Sequence, residues 1–217
     1  MKINKRTLGT LAGVLVLLAL SVSTVFADST TWKLSSFNAS GRALRAQTAD
    51  VGANGTVSFT FPKTADAAYL VTAKSGGGDR TGGTLSATVG VVTTGTATFA
   101  AYPDGCNPSG ADPKVGLYFQ TQTAGGFNPS DYWWSSERVL VDGLVNTPTL
   151  LTRGLALGNW SDWDGHLNTF DAAHEASFAA AVANVTSWGV SFGGGCHYAN
   201  GVGTPTGSAV FSLTPSP

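Results

Sequence analysis

Apolar and polar residues alternate along many short stretches of this chain. In five of them every second residue is apolar and the residues between are mostly polar or small. These apolar positions are Val57, Phe59 and Phe61; Leu85, Ala87, Val89 and Val91; Val115, Leu117 and Phe119; Trp188, Val190 and Phe192; and Ala209, Phe211 and Leu213. A period of two is typical of β-strands with one buried face. The pattern therefore predicts strands that share one core.

Segments with turn chemistry separate these stretches, among them residues 75–79, 93–95 and 103–105. One segment has helical character, since residues 171–183 are alanine-rich and carry acids in the first turn. About ten short strands, little helix and no βαβ rhythm predict an all-β fold. We expect an antiparallel β-sandwich with the jelly roll as the favoured topology, capped at one end by the short helix.

The first 27 residues have the pattern of a secretory signal peptide. Three basic residues precede an apolar run from Leu8 to Leu20, and small or branched residues precede Ala27. This pattern predicts cleavage after Ala27 and a location outside the cell or on its surface. Polar residues interrupt the run before about 20 apolar residues are reached, so no stable membrane span is expected after cleavage. Residues 28–217 are expected to form a single β-sandwich domain.

The charge of the chain argues against nucleic acid as a partner. Cleavage would remove three of the 12 Lys and Arg residues and none of the 13 Asp and Glu residues, which changes the formal charge from −1 to −4. A mildly acidic chain without a basic stripe cannot neutralise a run of phosphates.

The two cysteines, Cys106 and Cys196, lie in glycine-rich segments. In an exported chain an even pair of cysteines is expected to form a disulfide. It would close a loop of about 90 residues, worth about 4–5 kcal/mol in the chain-entropy model. The alternative, a pair of metal thiolates, needs further ligands, and His197 is the one adjacent candidate.

Tryptophan is concentrated in one part of the chain, where five of the six residues lie between Trp133 and Trp188. Consecutive residues of a strand point to opposite faces, so one of Trp133 and Trp134 is expected in the core. Trp188 belongs to an alternating apolar face and is also expected there. Trp160 and Trp163 fall in a predicted loop, where large rings either plug the end of the sandwich or remain exposed for binding.

The loop from Asn159 to His166 places polar side chains beside these rings. Indole rings stack on the C–H faces of sugars, while amides, carboxylates and imidazoles hydrogen-bond to hydroxyl groups. The predicted ligand-binding residues are Trp134, Asn159, Trp160, Asp162, Trp163, Asp164 and His166.

Asp162, Asp164 and His166 could alternatively hold a cation. A structural calcium ion would accept the carboxylates but rarely takes histidine. Zinc would accept the histidine but needs three or four well-placed donors. The favoured interpretation is a tight loop in which the aspartates accept backbone N–H groups. No cofactor is therefore predicted.

Two patterns could indicate hydrolysis. Residues 189–193 match Gly-x-Ser-x-Gly, but no acid follows Ser191 and no helix pattern follows the strand, so a nucleophile elbow is disfavoured. Glycoside hydrolysis needs two facing carboxylates, and the candidates are Asp131, Glu137, Asp162 and Asp164. No spacing pairs them. His174 is expected to be a solvated helix residue.

Several motifs carry a family resemblance over roughly residues 67–214. They are Leu-Tyr-Phe-Gln-Thr at 117–121, Asp-Tyr-Trp-Trp-Ser at 131–135, Asn-Trp-Ser-Asp-Trp-Asp-Gly at 159–165 and Val-Thr-Ser-Trp-Gly-Val-Ser-Phe-Gly-Gly-Gly-Cys at 185–196. The chain resembles a group of exported, uncharacterised bacterial β-sandwich domains and, more loosely, the galactose-binding-like jelly rolls that include many carbohydrate-binding modules. The resemblance implies an exported β-sandwich and, weakly, sugar binding. It brings no catalytic residues.

Together these observations favour a secreted, non-catalytic, lectin-like domain whose partner is an extracellular glycan or cell-surface component. A structural or adhesive surface protein with no small ligand is the first alternative, and in that case every tryptophan serves packing. A small polysaccharide-active hydrolase is the second.

Overall fold

The computed structural model describes residues 32–38, 47–72, 77–103, 110–122, 126–194 and 198–216. Strands contain 56% and helices 11% of the described residues, which confirms the predicted all-β class. The predicted signal peptide and the predicted Cys106–Cys196 disulfide lie outside the described residues. No helix within these ranges is long and apolar enough to cross a membrane.

Twelve strands and one α-helix are present among the described residues. The strands are β1 (Trp32–Asn38), β2 (Gln47–Thr48), β3 (Asp50–Val51), β4 (Val57–Thr60), β5 (Ala65–Thr72), β6 (Thr84–Ala101), β7 (Lys114–Gln120), β8 (Tyr132–Leu140), β9 (Thr149–Gly154), β10 (Trp160–Ser161), β11 (Ser187–Gly193) and β12 (Val202–Pro215). The helix is α1 (Ala172–Val182). Single 3-10 turns precede β8, at Pro129–Asp131, and follow it, at Asp142–Leu144.

The strands form two groups in which all named neighbours are antiparallel. In the first group the order is β2-β1-β5-β11-β7-β8-β10. In the second it is β9-β6-β12-β4-β3. The start of β12 joins the groups through the pair Val202 and Ala67. We call them the first and second layers.

Aromatic rings hold the two layers together. Phe192 of the first layer packs on Phe59 and Phe211 of the second, with ring centroids 5.6 and 4.9 Å apart. The alternating apolar residues predicted to face inward are all buried there, which confirms the sandwich. Edge-to-face ring pairs of this kind add to the stability that burial of their area supplies. The jelly-roll topology stays a prediction.

Helix α1 caps one end of the first layer, as predicted. Asp171 is its N-cap, because its carboxylate accepts the N–H groups of Ala173 and His174 at 2.9 Å each. Phe178 is the buried anchor of the helix, and its ring lies 5.0 Å from Trp133 and 5.9 Å from Phe119. The helix boundaries agree with the predicted 171–183 to within one residue.

One predicted turn is wrong. Residues 93–95 lie inside β6, which continues for 18 residues beside the 14-residue β12. The turn chemistry instead produces an irregularity: Gly95 has φ of 69°, and the register between β6 and β12 shifts between Thr206 and Ser208. A glycine with positive φ inside a strand is typical of a β-bulge, which bends the ladder without ending it.

Candidate functional site

The outer surface of the first layer carries a continuous row of aromatic rings. On β7, Leu117 and Phe119 face the core while Tyr118 faces outward, and on β8 Trp133 faces the core while Trp134 faces outward. The register places Tyr118 opposite Trp134 and Gln120 opposite Tyr132. We call the outer set the aromatic face; it consists of Tyr69, Tyr118, Phe127, Tyr132, Trp134, Trp163 and Tyr198.

Successive rings of the aromatic face are in contact. Starting on β5, the ring of Tyr69 lies 5.0 Å from Tyr118, which lies 5.3 Å from Trp134. Trp134 is in turn 5.8 Å from Trp163 in the turn after β10. Centroid separations of 4.5–7 Å are those of favourable aromatic pairs. The face therefore crosses the four adjacent strands β5, β11, β7 and β8 and ends over β10.

Its solvent-exposed end is formed by Phe127, Tyr132 and Trp163, which we call the exposed triad. Phe127 is 62% exposed and Trp163 is 45% exposed. All three rings are in mutual contact: Tyr132 lies 5.6 Å from Phe127 and 5.4 Å from Trp163, and Phe127 lies 5.2 Å from Trp163. The rings of Phe127 and Tyr132 are nearly parallel at 27°, whereas Trp163 stands at 82° to Phe127. The triad is an angled aromatic surface.

Small residues of β11 make room for the buried part of the aromatic face. A side chain at Gly189 would place its Cβ 2.1 Å from the carbonyl oxygen of Leu70, so only glycine fits there. The indole N–H of Trp134 donates to Ser191 Oγ at 3.0 Å, and Ser191 donates to the carbonyl oxygen of Tyr198. Ser191 is therefore a buried structural hydroxyl inside β11. This placement does not match the strand-to-helix turn of a nucleophile elbow.

Arg138 is a charged residue in contact with the aromatic face. Arg138 lies over the ring of Tyr198, with Cζ 4.2 Å from the centroid. Burial lowers the pKa of Arg138 to about 10, which leaves it cationic at neutral pH. Burial raises the pKa of Tyr69 and Tyr118 above the usual phenol range, so both hydroxyls keep their protons. The Tyr118 hydroxyl donates to Gln120 Oε1 at 2.7 Å.

Trp160 does not belong to this surface, and its prediction as a stacking residue is wrong. It pairs with Ser135 as part of the short strand β10, and its side chain is 0% exposed. Its ring packs 5.0 Å from Phe119, and its indole N–H donates to the carbonyl oxygen of Gly154 at 2.9 Å. A ring with no exposed area cannot contact a glycan. Asn159, just before it, is half-buried, and its Oδ1 lies 3.5 Å from the Arg153 guanidinium.

Asp162 organises the turn that carries Trp163. Its Oδ1 accepts the backbone N–H groups of Asp164 at 3.1 Å and His166 at 2.9 Å, and the side chain is 3% exposed. This is the tight loop that the sequence favoured. The N–H of Trp163 donates to the carbonyl oxygen of Pro129 at 3.4 Å, which holds the turn beside the start of β8. Asp164 is exposed on the tip of the turn.

Two histidines approach the buried carboxylate of Asp162. His174 Nε2 lies 3.5 Å from Asp162 Oδ2, and His166 Nδ1 lies 3.9 Å from Asp162 Oδ1. The prediction of a solvated His174 is only partly correct, since its side chain is 21% exposed and its Nδ1 also contacts Asp171 Oδ1 at 2.7 Å. The hydrogen bonds from His174 lower the pKa of Asp171. We call Asp162, His166 and His174 the carboxylate–imidazole cluster.

The remaining candidate carboxylates do not form an evident hydrolytic pair. Glu137 forms an ion pair with Arg153 on β9, the edge strand of the second layer. Asp131 is buried at 3% exposure, and Asp162 is occupied by its own turn. Glycosidase carboxylates instead face a substrate across an open cleft.

Of the seven predicted ligand-binding residues, Asn159 is half-buried beside Arg153, Asp164 is exposed at the tip of its turn, and the other five fall into three groups. Trp134 and Trp163 lie on the aromatic face, but Trp134 is buried and only Trp163 of the two is exposed; Asp162 and His166 lie in the carboxylate–imidazole cluster, and Trp160 packs in the core. Sequence reasoning missed the contributions of Tyr69, Tyr118, Phe127, Tyr132 and Tyr198. For Tyr118 and Tyr132 a signal was present, because both occupy outward positions beside residues predicted to face inward.

No family model, curated protein or solved structure matches this chain. The resemblance to galactose-binding-like jelly rolls therefore remains a prediction, and the function must be argued from the aromatic face and the cluster.

Proposed function

We propose that this protein is a non-catalytic binding domain that holds an extracellular glycan on its exposed triad. The observation that carries the proposal is the contact among three partly exposed rings, Phe127, Tyr132 and Trp163, at the end of a buried aromatic row. Large exposed aromatic surface is costly in water and is typical of binding sites. Sugar rings offer C–H faces to such surface and hydroxyl groups to polar neighbours.

The geometry of the triad favours a single soluble glycan chain over a crystalline polysaccharide surface. Trp163 stands at 82° to Phe127 and 63° to Tyr132, so the three rings do not share a plane. A flat crystal face could contact one ring at a time, whereas a bent chain can place sugar units against rings of different tilt. The exposed carboxylate of Asp164, next to Trp163 in the chain, is available as a hydroxyl acceptor.

The rings are also held in place before any ligand binds. The ring of Trp163 contacts Trp134, whose indole N–H donates to Ser191. The backbone N–H of Trp163 donates to the carbonyl oxygen of Pro129. Rings that are already ordered lose little conformational entropy on binding, which favours affinity.

The test is native gel electrophoresis through gels that contain soluble polysaccharides of different linkage. We expect retardation in at least one gel, and its loss in Trp163→Ala and Phe127→Ala. Leu150→Ala is the matched control, because Leu150 is 57% exposed on β9 and lies away from the triad. This variant should be retarded like the native protein.

Two results of this electrophoresis would overturn the proposal. One is unretarded migration of the native protein in every gel, which would favour the structural or adhesive alternative. The other is full retardation of both triad variants, which would place the binding surface elsewhere. Release of reducing ends from a polysaccharide by the native protein would instead identify a hydrolase.

A further inference from the structure

The carboxylate–imidazole cluster lies between the turn after β10 and the first turn of α1. Its three potential donor atoms, one each from Asp162, His166 and His174, all lie within 4.8 Å of one another. The individual gaps are 3.5 Å from His174 Nε2 to Asp162 Oδ2 and 3.9 Å from His166 Nδ1 to Asp162 Oδ1. Tetrahedral zinc with bonds of 2.0–2.1 Å has donors about 3.3 Å apart. The two gaps to Asp162 exceed this spacing by about 0.2 and 0.6 Å, and the two nitrogens lie within 4.8 Å of each other, so the side chains would move toward the ion on binding.

Each donor of the Asp162–His174 pair is oriented by a second hydrogen bond. Asp162 Oδ1 accepts two backbone N–H groups of its own turn, which leaves Oδ2 directed at the histidine. His174 Nδ1 is 2.7 Å from Asp171 Oδ1, so a proton on Nδ1 is held by that carboxylate and the lone pair of Nε2 points toward Asp162. Outer hydrogen bonds that fix a carboxylate and a histidine tautomer are characteristic of metal ligands.

A neutral His174 in this tautomer presents a lone pair to a carboxylate oxygen. Two acceptors 3.5 Å apart repel each other unless a cation or a proton lies between them. Two kinds of bridge therefore satisfy the geometry: a metal ion, or an imidazolium that bonds to both Asp162 and Asp171. The second imidazole distinguishes them. His166 adds a nitrogen donor within 4.8 Å of the other two donor atoms, and its ring lies 5.0 Å from that of His174. A metal ion would use this third donor, whereas an imidazolium at His174 would not.

We propose that Asp162, His166 and His174 bind one Zn²⁺ ion, with Asp171 orienting His174 from the outside. Two imidazoles and one carboxylate suit zinc, whereas calcium and magnesium prefer oxygen donors. Three protein ligands leave a fourth position for water, on the side where the His166 ring is 41% exposed. The ion would tie the turn that carries Trp163 to the N-terminus of α1.

The first experiment is calorimetric titration of tag-free, chelator-treated protein with zinc chloride. We expect one ion per chain and, with zinc at about one hundred times its dissociation constant, a rise in melting temperature of about 5–10 °C. His174→Ala should abolish this binding, and Asp171→Asn should weaken it about 10- to 100-fold. The control is Asp79→Asn, whose carboxylate also accepts a backbone N–H in its turn, from Thr81 at 2.9 Å.

A second measurement on the native protein does not depend on whether the variants fold. Two-bond ¹H–¹⁵N spectra of the three histidine rings should show zinc-induced shifts at His174 Nε2 and His166 Nδ1. Absence of binding would overturn the proposal in favour of the bridging imidazolium. Binding that shifts only His197, or that persists in His174→Ala, would place the metal elsewhere and would equally overturn it.

Discussion

The roles of Trp160 and Trp163 can be separated by one pair of substitutions. The Trp160 side chain is 0% exposed and Trp163 is 45% exposed, although only two residues lie between them. Burial of a tryptophan removes 150–250 Å² from water, which at about 25 cal/mol per Å² amounts to about 4–6 kcal/mol. Measured losses for Trp→Ala in cores are about 3–5 kcal/mol. Trp160→Ala also leaves the carbonyl oxygen of Gly154 without the indole N–H.

We therefore expect Trp160→Ala to lose about 3–5 kcal/mol of unfolding free energy and about 6–20 °C in melting temperature. Trp163→Ala should lose about 1–2 kcal/mol, because half of its ring is already in water. Urea unfolding followed by far-UV circular dichroism measures both, and Trp160→Phe should fall between them since it keeps the contact with Phe119. Equal losses for the two alanine variants would refute the assignment of one ring to the core and the other to the surface.

Two further predictions concern other parts of the first layer. Gly189→Ala should lose about 1–3 kcal/mol or more of unfolding free energy, because its Cβ would lie 2.1 Å from the carbonyl oxygen of Leu70. The control is Gly154→Ala, which has no atom within 4 Å of its Cβ and should change stability by less than about 0.5 kcal/mol. A similar effect of both substitutions in thermal melts would contradict the close approach of β5 and β11. Burial raises the pKa of Asp66 from 3.8 to about 6. Between these two pH values the folded state holds a proton that the unfolded state has released. The stability contributed by Asp66 therefore falls as the pH rises from about 4 to about 6. The unfolding free energy of Asp66→Asn should therefore rise by up to about 1 kcal/mol relative to that of the native protein between pH 4 and pH 7, after allowance for the partial exposure of Asp66. Thermal melts in which the two proteins differ in stability by the same amount at both pH values would count against this.

The core of the sandwich could be predicted from the sequence because strand burial has a period of two. Val89, Leu117 and Phe192 lie on alternating runs long enough to define a face, and all three are buried. The helix could also be predicted, because Asp171 supplies an N-cap before an alanine-rich run. A periodic pattern within one segment indicates both the type of secondary structure and its buried face.

The site was less predictable because it depends on contacts between elements distant in sequence. Strand β10 is two residues long, too short for alternation to reveal that Trp160 faces Phe119. His174 meets Asp162 only because the chain turns back after β10 and α1 begins beside it. Phe127 reaches Trp163 from a loop more than thirty residues earlier. No spacing rule within one segment encodes such meetings.

The indole region of a ¹H–¹⁵N correlation spectrum tests the proposed glycan-binding surface most directly. The chain has six tryptophans, of which Trp163 alone is more than 8% exposed, and each indole N–H gives one cross-peak. On addition of a polysaccharide that retards the protein, we expect the cross-peak of Trp163, assigned by its loss in Trp163→Phe, to shift most, with a smaller change at Trp134. A spectrum in which Trp163 stays in place, while the protein demonstrably binds the glycan, would contradict the assignment of the exposed triad as the binding surface.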